Sequence, residues 1–102
     1  MRRVVAYVPD LMDRSKVAAA GDVTFVTEPS RLGADTEGAD IVIVDLTRAG
    51  VLDAVPSISA PVIGFANHTQ KELLEAARDA GCAEALPRSA FFARLRALIG
   101  ES

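Results

Sequence analysis

Short apolar runs recur along the chain, separated by polar stretches that carry glycine or proline. In Asp40-Ile41-Val42-Ile43-Val44-Asp45, four consecutive β-branched residues are closed by an acid, a pattern that predicts a strand buried on both faces in the middle of a parallel sheet. Val4 to Val8 forms a first strand stopped by Pro9. Val23 to Val26 forms a second, nearer an edge. Pro61 to Ala66 reads as a fourth strand and Ala83 to Leu86 as a brief fifth. Between them, Leu11 to Ala20 predicts a helix with Leu11, Ser15, Ala18 and Ala19 inward and Gly21 at its end. Pro29 to Ala39 has room for a short or irregular helix, and Leu46 to Ala60 for one turn at Val51 to Val55. Thr69-Gln70-Lys71-Glu72 reads as a capping box for a fourth helix carrying Leu73, Leu74, Ala77 and Ala80 and ending at Gly81. Ser89 is expected to cap a last helix whose Phe92, Leu95, Leu98 and Ile99 share one face and which stops at Gly100; one of Phe91 and Phe92 must stay partly exposed.

Strands that alternate with helices, with no hairpin signal between them, imply right-handed βαβ crossovers. The expected architecture is α/β: a flavodoxin-like three-layer αβα sandwich on a five-stranded parallel sheet of order 2-1-3-4-5, with short second and third helices, in one domain over residues 1–102. Composition narrows the task. A net charge of -3 with scattered basic residues gives no field for a phosphate backbone, so nucleic acid is not an expected partner. The lone Cys82 forms no internal disulfide and fits a reducing cytoplasm. The run Val4 to Val8 is too short for a signal peptide, and no run approaches the roughly 18 apolar residues that cross a bilayer, so no membrane association is expected.

In such a sheet the strand exits converge at the carboxyl edge, where open α/β folds place ligands. Asp10 leaves strand one, Asp45 strand three, Asn67 and His68 strand four, and Arg88 with Ser89 strand five. Asp10 and Asp45 could hold a hard divalent cation such as magnesium, with Arg88 pairing an anion opposite them. They could equally bond the first free amides of the following turns. His68 reads more simply as a turn residue than as a ligand, Ser89 as a cap, and Cys82 as a small hydrophobe.

Val8-Pro9-Asp10, Ile43-Val44-Asp45, Pro61-Val62-Ile63 and Ala80-Gly81-Cys82-Ala83-Glu84-Ala85-Leu86 together resemble a receiver domain of two-component response regulators over nearly the whole chain. The resemblance implies that Asp10 matches the second acid of a magnesium-binding pair and Asp45 the phosphoacceptor. The other positions depart from that pattern: Pro9 replaces the first acid, Ala66 stands at the Thr or Ser that ends strand four, and Pro87-Arg88 at the Lys-Pro that ends strand five. The stretches Tyr7 to Met12 and Leu86 to Phe92 look like a degenerate receiver-like group, which carries no activity over to this chain.

The expected function is therefore non-enzymatic: a pseudo-receiver acting through protein–protein contact, without efficient phosphotransfer. Its expected surface is the fourth helix, fifth strand and fifth helix, facing an unidentified protein or a second copy of the chain. The alternatives are a working phosphoacceptor, with Asp45 as nucleophile and Asp10 on magnesium, and a binder of a small anionic ligand. No glycine-rich loop follows strand one to favour the last.

Overall fold

Five strands, Val4–Tyr7 (β1), Val23–Phe25 (β2), Ile41–Asp45 (β3), Val62–Ala66 (β4) and Glu84–Pro87 (β5), pair in parallel in the order β2-β1-β3-β4-β5. The computed structural model describes residues 2–99. β1, β3 and β4 are buried along their whole length, as their apolar composition requires. Side-chain alternation divides β3 between two cores. Val42 and Val44 join Leu32, Val51, Val55, Leu74 and Ala77 from the helices Leu32–Asp35 (α2), Val51–Ala54 (α3) and Lys71–Ala80 (α4) and the turn after α3. Ile41 and Ile43 join Val17, Phe91, Leu95, Leu98 and Ile99 from Leu11–Ala20 (α1), Arg88–Ala93 (α5) and Leu95–Ile99 (α6). Single 3-10 turns, Pro29–Arg31 and Val55–Ser57, stand before α2 and after α3.

The strands and their order follow the sequence pattern; several helix details do not. α1 buries Asp13 and Val17, whereas Ser15, Ala18 and Ala19 are exposed and Leu11 and Met12 stand 78% and 74% in solvent. Asp10 sets this phase: its Oδ1 accepts from the Asp13 amide at 3.0 Å, and Asp13 can turn inward because a cation meets it there. α4 begins at Lys71, and no capping box forms at Thr69. The cap position falls on Gln70, whose Oε1 reaches back to accept from the Asn67 amide at 3.0 Å. Gly81 does end α4, in a left-handed conformation.

Ser89 caps nothing, since α5 starts at Arg88 straight out of β5 and places Ser89 inside its first turn. The last helix is also broken at Arg94, which separates α5 from α6. Phe91, at helical spacing from Leu95 and Leu98, is the internal phenylalanine: it is fully buried, stacked on Phe65 with ring centroids 4.7 Å apart, and Phe92 is half-buried against both rings. The expected stop at Gly100 lies outside the described residues.

One contact ties β4 to the exit of β3. Leu46 folds over Gly64, where a Cβ would lie 2.6 Å from Leu46 Cγ, so glycine is the residue that lets the chain after Asp45 pack flat. At the sheet's β5 edge, Arg78 Nη2 donates to the Ala85 carbonyl at 2.7 Å, and Arg94 pairs with Glu84.

Candidate functional site at the carboxyl edge of the sheet

Strand register brings the predicted residues to one end of the sheet. Tyr7 pairs with Val44, Asp45 with Phe65 and Ala66 with Pro87, so Asp10, Asp45, Asn67, His68, Arg88 and Ser89 all follow or end strands at the same edge. Asp10, Asp45 and Arg88 lie within electrostatic reach of one another there. Asn67, His68 and Ser89 are exposed, and the Asn67 amide is used by Gln70. Asp10 is exposed and caps α1.

Asp45 is only 3% exposed and is held by its own turn. Oδ1 accepts from the Thr47 amide at 3.0 Å and from Thr47 Oγ1 at 2.6 Å, while Arg48 Nε stands 3.5 Å from Oδ2. Thr47 and Arg48 were not singled out in the sequence, although a carboxylate followed two positions later by a hydroxyl is a recurrent turn pattern.

Arg88 turns toward α1, where Nη2 and Nη1 grip Asp13 Oδ1 and Oδ2 at 2.6 and 2.8 Å. Its guanidinium also lies 5.5 Å from the Phe65 ring centroid and 5.3 Å from that of Phe92. The bidentate bond with Arg88 holds the Asp13 carboxyl below its ordinary pKa despite its burial, and Asp13 in turn raises Arg88. Asp45 and Asp10 also act on Arg88 through space, and Arg48 on Asp13, so three acids and two arginines form one field. Asp13 was missed because an acid inside a helix reads as a solvated residue until its partner, 75 positions away, is known.

The two acids expected to hold a cation are Asp10, which is exposed, and Asp45, which is nearly buried. Among the described residues no three His, Cys, Asp or Glu side chains are grouped so as to share an ion. A cation bridging Asp10 and Asp45 would displace Arg48 from Oδ2 and sit within reach of the Arg88 charge.

The layering, the strand order and the acid that ends β3 define a receiver-like fold of the flavodoxin-like class. Among solved structures, the chain is similar to a response regulator from Hahella chejuensis, with a TM-score of 0.81 and 13% identity over 97% of this chain and 92% of that one. It is also similar to the pilus assembly protein CpaE from Burkholderia thailandensis E264, with a TM-score of 0.67 and 17% identity over 95% and 93% of the two chains. At these identities the likeness is one of fold. No protein-family model and no curated protein matches the chain. Among the described residues no helix is long and apolar enough to cross a membrane.

Proposed function

We propose that this chain is a pseudo-receiver that works by binding another protein and does not use phosphotransfer at Asp45. The observation that carries this reading is the commitment of both arginines. Arg48 already leans on Asp45, and Arg88 is held by two bonds to Asp13. A phosphoryl group on Asp45 would add charge beside Asp10 while the Arg88 guanidinium is held by Asp13, and Ala66 offers no hydroxyl to bond it. The carboxylate itself is nearly buried, with Oδ1 engaged by both donors of Thr47, so its lone pairs are poorly presented to an incoming phosphorus.

The test is incubation of the purified chain with acetyl phosphate and magnesium, with intact-mass detection. The expected result is little or no added phosphate, and an Asp45→Asn variant that folds and binds its partner as the wild type does. Stoichiometric, magnesium-dependent labelling that disappears in Asp45→Asn would overturn the proposal and make the chain a phosphorylation switch.

A further inference from the structure

Leu11 and Met12, in the first turn of α1, are the exposed large hydrophobics among the described residues. Ser15, Ala18 and Ala19 are exposed as well. With Asp13 and Val17 buried, the helical period places these five side chains on the opposite, outward side as one strip along the helix. The strip carries no charge. Arg14 and Lys16 fall on its two flanks and are drawn off it, the Arg14 guanidinium lying 4.5 Å from the Phe25 ring centroid and Lys16 Nζ 5.1 Å from that of Phe92.

Size is distributed unevenly within the strip. The large side chains lie in the first turn and the small ones toward the end, with Ser15 midway: Leu11 and Ala19 stand four positions either side of it, Met12 and Ala18 three. A second copy of α1 laid antiparallel across the strip, on a two-fold axis at Ser15, therefore sets Leu11 over Ala19 of that copy and Met12 over its Ala18, and the same two contacts recur in reverse. Large meets small at each of these points, and the low waist at Ser15 lets the two helices approach closely. The α4 surface offers no such match, since it turns Lys71, Glu72, Glu75, Arg78 and Asp79 to water.

We infer that α1 is the contact face of a homodimer in solution, two copies packing antiparallel through Leu11, Met12, Ser15, Ala18 and Ala19. Left alone, the strip holds adjacent apolar side chains in water, and covering them is favourable. A second copy suits it because the strip desolvates no charge on pairing and the flanking cations keep their aromatic rings. The area sets the strength: one face of a ten-residue helix covers less than the roughly 800 Å² per partner of a standard interface, so the dimer is weak and depends on concentration. The inference goes beyond the reading of Asp45 and does not depend on it; it moves the contact with a second copy from the α4–β5–α5 face to α1.

The test is sedimentation equilibrium of the full chain, together with disulfide trapping. The average mass is expected to rise from 10.7 kDa toward twice that value between about 0.05 and 1 mM, and to stay at the monomer value when Leu11→Ser and Met12→Ser are combined, two exposed positions whose replacement leaves the core intact. With Cys82 replaced by Ala, Ser15→Cys is expected to cross-link to itself under mild oxidation, since a residue on the axis meets its own copy, whereas Thr24→Cys, exposed on β2, is not. A wild-type chain that stays monomeric up to about 1 mM, a dimer unchanged by the double substitution, or trapping no stronger in Ser15→Cys than in Thr24→Cys would each overturn the inference. Phosphate uptake at Asp45 moves none of these readouts, so the two readings fail separately.

Discussion

Asp13 and Arg88 show how much one pair can decide. Asp13 is 4% exposed, and an uncompensated carboxylate there would be costly, so it is the arginine that lets Asp13 face inward. Replacing Asp13 by Asn removes the charge and one of the two acceptors. The expected loss is about 1.5–3 kcal/mol, toward the lower end because Arg88 keeps much of its side chain in water. The sign of its pH dependence follows from the lowered pKa. The unfolded carboxyl takes up its proton near the ordinary value of 3.8, whereas the folded one resists until lower pH, so the pair stabilises above that value and fades below it. Chemical denaturation of the wild type and Asp13→Asn should therefore show a full gap at neutral pH that closes as pH falls below about 4. A gap independent of pH would mean that the charge is not what matters.

The ends of the elements separate what local pattern can and cannot reveal. β3 was legible because four β-branched residues in a row have few other destinations, and Gly81 because a helix end without a Cβ is a strong signal. The start of α4 was not. Thr69 and Gln70 both have polar side chains beside the helix start, and only the path of the chain out of β4 decides which one finds a donor. Gln70 reaches the Asn67 amide, and Thr69 bonds none of the helix amides. Thermal melts should accordingly rank Gln70→Ala below wild type by about 0.5–1 kcal/mol, with Thr69→Ala close to unchanged. The reverse order would restore the capping box. The inward face of α1 was misread for a related reason: small apolar residues were assumed to point inward, yet Leu11 and Ala18 are exposed while Asp13, matched by a distant arginine, is not.

Across the whole molecule, the carboxyl edge is a place where charges answer one another within the chain. Magnesium should then leave stability almost untouched. A site with a Kd of about 0.1 mM would raise it by about 2.7 kcal/mol at about 10 mM ion, a shift that calorimetry resolves easily. An increase of that size, lost in Asp45→Asn, would show that Arg48 gives way to a metal. The fold as a whole was legible in the alternation of strands and helices; the site was legible only as a location, since partnerships such as Arg88 with Asp13 span the chain. The closed state of the β5 edge has a consequence of another kind. Pro87 has no amide hydrogen to offer, the Ala85 carbonyl is taken by Arg78, and Glu84 is tied to Arg94. A stray strand meeting that border finds little to zip onto, so crowded copies of the protein are guarded there against fusing their sheets into fibres.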